Sequence, residues 1–312
     1  MGNFVSKKNS SLRSKICNIQ YKYINGRKYY DEEIANDLTP IDIEEIDRTQ
    51  AQHYIFKHMF DGNVSAPVKE SLSSGCKVLD VGCGSGIWIL ELATENPKSR
   101  FVGVDLSPIF PDQIKPANTT FVQTNILHGL PFDDNEFDYV HIGHMCLALT
   151  EEQWQNIVIP ELIRVTKPFC YIEFSETDII CSSAGPIYTK IIDSLQQYIT
   201  SSGLNPGGAR LISNWINKYS PNQLININEI IKKQPLGLWG GELGKLNYEI
   251  FLEFFKMMTP SLCKYLNITQ DEYLKLLNNC KDYEWDQYKP RIHYIRVWAM
   301  KVGNNRIEIH NN

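Results

Sequence analysis

One stretch, residues 77–90, constrains the fold more than any other part of this chain. Lys77–Val81 is short, apolar and rich in valine, which is typical of a buried strand. It runs into the turn GCGSG, residues 82–86, and then into an apolar-periodic helix. Glycine permits close backbone approach, and the free N–H groups at a helix N-terminus are hydrogen-bond donors. The stretch predicts a ligand cradle, although an ordinary tight turn between a strand and a helix can show the same glycines.

Two acidic residues favour the cradle over the ordinary turn. Asp80 lies two residues before the first glycine, where it can face a cationic or amine-bearing ligand. A second apolar segment, residues 101–104, ends in Asp105, at the place where α/β nucleotide folds have an acceptor for ribose hydroxyls. The turn has the spacing G-x-G-x-G, whereas dinucleotide folds use G-x-G-x-x-G. This spacing disfavours a nicotinamide oxidoreductase.

The combination of VLDVGCGSG at 78–86 with GVD at 103–105 resembles the class I S-adenosylmethionine-dependent methyltransferases. The resemblance implies that the first stretch binds the methionine part of the cofactor and that Asp105 binds its ribose. It also implies an adenine contact at Asn125, where relatives often have an acid. The residues implied to bind S-adenosylmethionine are Asp80, Gly82, Cys83, Gly84, Gly86, Asp105, Leu106, Asn125, Ile126 and His141.

Composition excludes several other classes of protein. The chain has 312 residues, of which 43% are hydrophobic, so it can bury a sizeable core. Its net charge of −5 does not indicate nucleic-acid binding. The 8 cysteines show neither C-x-x-C nor zinc spacing, so we interpret them as reduced thiols and expect no metal. No apolar run is long enough to cross a membrane.

The order of the predicted elements indicates an α/β protein. Strands alternating with helices predict a Rossmann-like class I methyltransferase fold with a mostly parallel seven-stranded sheet. The predicted strands are 77–81, 101–105, 121–125, 137–141, 169–174, 223–233 and 291–299. Helices before the last strand, within residues of about 180–290, are predicted to form an insertion over the substrate pocket. Residues 1–40 are then a flexible basic tail and lead-in, and 41–312 the methyltransferase domain.

A helical pattern over residues 42–60 precedes the cradle, with Asp42 and Glu45 in a capping arrangement. In the methyltransferase fold such a helix lies over the cofactor cleft, and Gln50 and His53 are in a position to face it. We interpret these two residues as part of a solvated face, with the cleft as the alternative.

Two later features bear on local geometry. Pro160 lies inside the helical pattern 150–166 and predicts a kink. Phe169-Cys170 occupies the place where most relatives have two glycines, so we expect a distorted loop near the start of the fifth strand.

The chemistry of methyl transfer makes a base optional. Displacement at a sulfonium requires mainly alignment and exclusion of water, and a general base is needed only when the acceptor arrives protonated. Candidates after the central strands are His141, His144, Glu173 and Glu176. Histidine titrates near neutrality, so His141 and His144 are the catalytic candidates, with an ordinary packed role as the alternative. No third ligand completes a metal site with them.

Three further features are similar to the LaeA-type fungal methyltransferases, which are linked to regulation of secondary metabolism and development. They are EEIDR at 44–48 before HYIF at 53–56, PLGLW at 235–239, and the aromatic helical insertion. Two functions remain open. One is methyl transfer to a small-molecule or protein acceptor, and the other is a cofactor-binding regulatory subunit with little turnover. We predict a cytoplasmic protein, and the resemblance implies a nuclear alternative.

The first six residues, MGNFVS, fit the N-myristoylation pattern at Gly2. Basic residues follow at 7, 8, 13 and 15. One acyl chain with a basic segment predicts a reversible membrane tether. The alternative is a chance match in a disordered tail, because residues 1 to about 20 cannot build a core.

Overall fold

A computed structural model of the chain describes residues 21–30 and 38–303. The predicted acylation motif at Gly2 and its basic companions lie outside these residues. Within the described part, two short strands, β1 (Tyr21–Ile24) and β2 (Arg27–Tyr30), form an antiparallel hairpin. The bidentate pair between Arg27 and Asp42, at 2.8 and 2.5 Å, joins this hairpin to the start of the next helix.

Within residues 38–303, the main sheet has seven strands. They are β3 (Lys77–Val81), β4 (Arg100–Asp105), β5 (Thr119–Gln123), β6 (Phe137–Gly143), β7 (Thr166–Ser182), β8 (Leu224–Pro235) and β9 (Arg291–Lys301). Their order is β5-β4-β3-β6-β7-β9-β8. The first five are parallel, and β9 runs antiparallel to β7 and β8. This is the class I methyltransferase fold that the sequence predicts. The strand order reverses beside β3, which is where open α/β sheets bind ligands.

The helices flank the sheet and form the insertions. They are α1 (Ile43–Met59), α2 (Lys69–Ser74), α3 (Ile87–Glu95), α4 (Glu151–Gln153), α5 (Ile159–Val165), α6 (Pro186–Ser201), α7 (Ile212–Tyr219), α8 (Gly241–Met257), α9 (Thr259–Leu266), α10 (Gln270–Asn279) and α11 (Trp285–Tyr288). Short 3-10 turns occur at Ile126–His128, Gly208–Leu211 and Leu238–Gly240, and π turns at Trp154–Val158 and Cys280–Glu284. Four of these helices, α8 to α11, lie between β8 and β9, as predicted for the insertion.

The helical insertion shares a hydrophobic core with the sheet. Tyr188 on α6, Phe255 on α8 and Trp285 on α11 are almost completely buried in one cluster. The same cluster includes Phe56 on α1 and Tyr294 on β9, whose rings meet edge to face at 5.0 Å. Aromatic side chains contribute large buried apolar area. The leading helix and the insertion therefore share a core, and together they cover one end of the sheet.

Strand β7 is longer than its predicted span of 169–174. It pairs with β9 from Tyr171 to Asp178 and again at Ser182, because the antiparallel partner continues the ladder beyond the parallel one. The start of β7 shows the expected distortion. Phe169 has a left-handed φ of 63° and an exposed ring, and a Cβ placed on Gly303 would lie 2.2 Å from that ring. The distortion lies at the opposite end of the strand from the cradle.

The helix with the internal proline contains a π turn. The N–H of Ile159 donates to the carbonyl of Trp154, one residue further back than in an α-helix. Pro160 follows at once and lacks an N–H. At the place of the predicted kink the structure has a π turn, which ends at Val158, two residues before the proline.

Candidate active site

The glycine turn after β3 is held by hydrogen bonds to β4, including the acid at the end of that strand. The amide of Gly82 donates to Val104 at 2.9 Å. The amide of Gly84 donates to Oδ2 of Asp105 at 2.8 Å, and the amide of Ser107 donates to its Oδ1 at 2.7 Å. One carboxylate therefore fixes two adjacent turns. This juxtaposition follows from the parallel pairing of β3 with β4.

The three glycines of the turn have left-handed φ values of 71°, 53° and 79° at Gly82, Gly84 and Gly86. A Cβ on Gly82 would lie 2.6 Å from Sδ of Met145, and one on Gly86 would lie 2.7 Å from the ring of Phe121. A Cβ on Gly84 would meet nothing within 4 Å. Packing excludes side chains at the first and third positions. The second position faces open space, so it is the point at which a ligand can approach the backbone.

The other acid of the motif belongs to a buried polar row. Oδ1 of Asp80 lies 2.7 Å from Nδ1 of His141, and Nε2 of the same ring lies 3.1 Å from Oγ of Ser175. The indole of Trp88 stacks on the imidazole with 4.2 Å between ring centroids and 10° between planes. These residues come from β3, α3, β6 and β7, and all four side chains are largely buried. The row is a fixed feature of the sheet's carboxyl end.

A cavity of about 290 Å³ extends from the cradle to the underside of α1 and α8. That volume is close to the lower end of the range typical of small-molecule sites, roughly 300 Å³. The wall near the glycine turn includes Asp80, Gly82, Cys83, Gly84, Ser85, Trp88, Asp105, Ser107 and His141. The rest of the wall includes Tyr30, Arg48, Gln52, Phe56, His144, Ser175, Glu176, Thr177, Phe251, Phe254 and Arg296.

Helix α1 is bonded to the cavity walls. Nε2 of Gln52 donates to Oγ1 of Thr177 at 2.7 Å, which joins α1 to β7. His53 is buried, and its Nε2 lies 2.8 Å from Oε2 of Glu91 on α3. Gln50 reaches Oγ of Ser85 in the cradle at 3.5 Å. The interpretation as a solvated face is therefore wrong for His53, which is buried and lines the cavity, whereas Gln50 is half-buried and is not part of the cavity wall.

The four candidate bases differ sharply in their surroundings. Glu173 is completely buried and lies outside the cavity wall. Its carboxylate accepts from the amides of Ser65 and Ala66 at 2.9 and 2.6 Å and lies 3.6 Å from Nε of Arg296. This residue ties a loop to the sheet. His141 has both ring nitrogens engaged, one by Asp80 and the other by Ser175.

The remaining two candidates line the cavity and are neutral at pH 7. His144 is open to the cavity, but desolvation by the surrounding protein lowers its pKa to about 3, and the nearby Arg48 guanidinium acts in the same direction. Burial raises the pKa of Glu176 to about 8, although the amides of Met145 and Cys146 donate to its Oε1 at 2.7 and 3.2 Å. A histidine with so low a pKa is a weak base, so the prediction of His144 as a base loses its electrostatic support.

Six of the ten predicted cofactor residues line the cavity: Asp80, Gly82, Cys83, Gly84, Asp105 and His141. Gly86, Leu106, Asn125 and Ile126 do not. The Oδ1 atom of Asn125 accepts from the amide of Leu127 at 2.9 Å, so this side chain caps a 3-10 turn. Sequence analysis missed Ser175 and Trp88. The only signal for them in the sequence was position. Ser175 lies two residues after Glu173, and Trp88 lies two residues after Gly86.

The residues present fit S-adenosylmethionine. The open space at Gly84 admits a ligand against the backbone, the Asp105 carboxylate would hold the ribose hydroxyls, and Asp80 would face the methionine ammonium. Within residues 21–30 and 38–303, no group of three or more His, Cys, Asp or Glu side chains is arranged to hold a metal ion. In the same part of the chain, no helix is both long and apolar enough to cross a bilayer.

Comparison with known proteins finds methyltransferases. Residues 78–169 match the family model described as a methyltransferase domain. Methyltransferase pytC of Aspergillus terreus is 27% identical over 270 residues, which are 81% of this chain and 79% of that protein. Methyltransferase str3 of Strobilurus tenacellus is 31% identical over 148 residues, 47% of this chain and 50% of that protein.

The secondary metabolism regulator laeA of Aspergillus flavus is 32% identical over 159 residues, 47% of this chain and 39% of that protein. The chain thus spans about four fifths of pytC, half of str3 and two fifths of laeA. The sheet order, the glycine cradle with its two acids and these matches lead to one assignment. The chain has the class I S-adenosylmethionine-dependent methyltransferase fold, its residues 78–169 match a methyltransferase domain, and it is similar to the LaeA-type fungal methyltransferases.

Proposed function

We propose that this protein binds S-adenosylmethionine at the cradle and methylates a hydroxyl group of a small, largely apolar acceptor held inside the cavity. When bound, the cofactor supplies an electrophilic methyl group on a sulfonium sulfur. The single observation that carries the proposal is the continuity of the cavity from Gly84 and Asp105 to an aromatic compartment beneath α1 and α8. The chain's own residues would bind, orient and desolvate the acceptor there.

The covering of the compartment favours a small molecule over a protein side chain. Phe56, Phe251 and Phe254 line it and are each less than 10% exposed. The bond between Gln52 and Thr177 holds α1 against β7 across the same space. A side chain of a folded protein would need an open groove, whereas a small apolar molecule gains by burial against the aromatic rings.

The charges in the compartment favour a neutral acceptor. Arg48 makes a bidentate pair with Glu45 at 2.7 and 2.6 Å, and Arg296 pairs with Glu173. Glu176, with a pKa of about 8, remains mainly protonated at pH 7. Apart from the acids of the cradle, the described residues of the wall therefore offer an amine or carboxylate no unpaired opposite charge. Neutral donors and acceptors such as Ser175 and Thr177 suit a hydroxyl.

The test is incubation of purified protein with methyl-labelled S-adenosylmethionine and a cell extract separated into small-molecule and protein fractions. We expect label in organic-extractable small molecules and none with Gly84→Arg. Label confined to the protein fraction would contradict the acceptor assignment. Binding of S-adenosylhomocysteine without any labelled product would favour the regulatory subunit instead.

We also propose that the protein works in the cytoplasm. The seven cysteines in the described part of the chain all have free thiols, which supports a reducing compartment. Microscopy of the full chain carrying a C-terminal fluorescent tag, which leaves Gly2 free, tests the proposal. Signal restricted to a secretory compartment or to the nucleus would refute it.

A further inference from the structure

We infer that Ser175, His141 and Asp80 form a proton relay in which Ser175 accepts the hydroxyl proton of the methyl acceptor. The inference rests on the proposed function, because it names the groups that remove the proton in that reaction. The Asp80 and His141 side chains lie 2.7 Å apart, and His141 and Ser175 lie 3.1 Å apart. All three residues line the same cavity.

The sheet register creates this row. Asp80 on β3 is paired with His141 on β6, and Gly143 on β6 is paired with Ser175 on β7. The three side chains therefore cross three adjacent parallel strands near the point where their parallel pairing ends. A Cβ on Gly143 would lie 3.2 Å from Cε1 of His141 and 3.5 Å from Cβ of Ser175, so the glycine leaves room for both.

The chemistry of the groups sets the direction of the hydrogen bonds. An ionised carboxylate only accepts, so Nδ1 of His141 carries the proton that is donated to Asp80. Nε2 is then unprotonated and accepts from the hydroxyl of Ser175. The Ser175 oxygen keeps lone pairs with which it can accept a hydrogen bond from a hydroxyl in the cavity. With these hydrogen-bond directions, a proton can pass from the acceptor to Ser175 and from Ser175 to Nε2 of His141.

The reaction balances through this row. The acceptor oxygen gains a methyl group and releases its proton to Ser175, while the Ser175 proton passes to Nε2 of His141. The imidazole of His141 would gain one positive charge, equal to the charge that methyl transfer would remove from the bound cofactor. Asp80 lies at 2.7 Å from that ring, and the stacked face of Trp88 lies 4.2 Å away. Both a carboxylate and an indole face stabilise an imidazolium.

A nucleophilic role for Ser175 is disfavoured, although the three residues are the types found in serine hydrolases. Ser175 lies in the middle of β7, and its residue is paired with Gly143 on one side and with Arg296 on the other. Its carbonyl accepts from the amide of His144 at 2.9 Å. A hydrolase nucleophile requires a sharp exposed turn with free amides for the oxyanion. A proton relay requires only the side-chain hydroxyl.

The first test is nitrogen-15 NMR of histidine-labelled full-length protein with S-adenosylhomocysteine bound. We expect the neutral Nδ1–H tautomer at His141, with a hydrogen-bonded Nε2. The Nε2 signal should shift in Ser175→Ala and be preserved in Ser175→Thr. Ser182→Ala removes a hydroxyl from the same strand outside the cavity wall and serves as the matched control, in which the His141 signals stay unchanged. The Nε2–H tautomer in wild type, or an unmoved signal in Ser175→Ala, would overturn the relay.

The second test is the rate of product formation in the labelled-extract assay. Ser175→Ala should lower it by about 10²–10⁴-fold, the usual contribution of general base catalysis, while Ser175→Thr retains most of it. S-adenosylhomocysteine affinity should be the same in both variants, which reports an intact fold. Equal rates for wild type and Ser175→Ala would contradict the relay. Absence of product with wild type would instead refute the proposed function, and the NMR result, which needs no acceptor, decides the relay separately.

Discussion

The carboxylate of Asp105 accepts a hydrogen bond from the amide of Gly84 at 2.8 Å. The acid that we propose for ribose binding thus also fixes the glycine turn on which the cofactor would rest. We expect Asp105→Ala to weaken S-adenosylhomocysteine binding by roughly 1–3 kcal/mol, because a charged acceptor is lost and the amides of Gly84 and Ser107 lose their partner. Titration calorimetry measures the change. Asp105→Asn keeps one acceptor oxygen and should lose less, and equal affinity in wild type and Asp105→Ala would refute the role.

Gly84→Arg should abolish cofactor binding and leave the fold intact. Its backbone has a φ of 53°, and a Cβ there meets nothing within 4 Å, so the new side chain would occupy the cavity. Gly26→Arg is the matched control, because Gly26 has a φ of 80°, an equally open Cβ position and no place in the cavity wall. Calorimetry and circular dichroism check both variants. Normal binding by Gly84→Arg would place the cofactor elsewhere.

Glu173 should prove essential for stability. It is completely buried, bonded to the amides of Ser65 and Ala66, and paired with buried Arg296. Glu173→Ala would leave that guanidinium uncompensated, at a cost of about 3–5 kcal/mol. Chemical denaturation measures this free energy of unfolding. The control is Glu253→Ala, which breaks an exposed pair with Lys256 and should cost less than about 1 kcal/mol. A small loss in Glu173→Ala would contradict the structural role.

The stability of the protein should fall between pH 6.5 and 8, and Glu176 is the cause. Burial raises its pKa from 4.5 to about 8, so the folded state holds a proton that the unfolded state has lost. The stabilisation is fully present below the pKa that Glu176 has in the unfolded state. It is lost as the pH rises through the pKa that Glu176 has in the folded state. His144 has a pKa lowered from 6.5 to about 3, so its contribution to stability increases with pH. That increase ends near pH 6.5.

Denaturation at a series of pH values in this window checks the prediction. Glu176→Gln removes the titrating group, so its stability should be flatter than that of wild type between pH 6.5 and 8. Parallel curves for the two proteins would show that Glu176 does not titrate in this range.

We propose that Gly2 is myristoylated and that the basic residues after it add a second membrane signal. The motif lies outside the described residues, so the proposal stands on sequence. Protein made in a eukaryotic host should show the mass of one added myristoyl group and should float with anionic vesicles. Gly2→Ala should lose both properties. An unmodified Gly2 amine in wild type would refute the tether.

The order of strands and helices, the glycine cradle and the two acids could be predicted from the sequence because each depends on residues close together in the chain. A buried strand, a left-handed turn and a helix start follow from local periodicity and from backbone freedom at Gly82 and Gly84. Their spacing to Asp105 follows from the length of one βα unit. Local pattern, together with the resemblance to the class I methyltransferases, therefore predicted the fold class and the cofactor end of the site.

The acceptor side was decided only by tertiary structure. Asp80 and His141 are 61 residues apart in the chain, and His141 and Ser175 are 34 apart. Their contact depends on which strands are neighbours and in which register, and packing of the whole core sets both. For the same reason Glu173, a candidate base by position, became a buried tie to a loop, and His53, interpreted as solvated, became part of the cleft. Local sequence pattern carries no information on these pairings, because burial and charge at one residue are set by distant segments that fold against it.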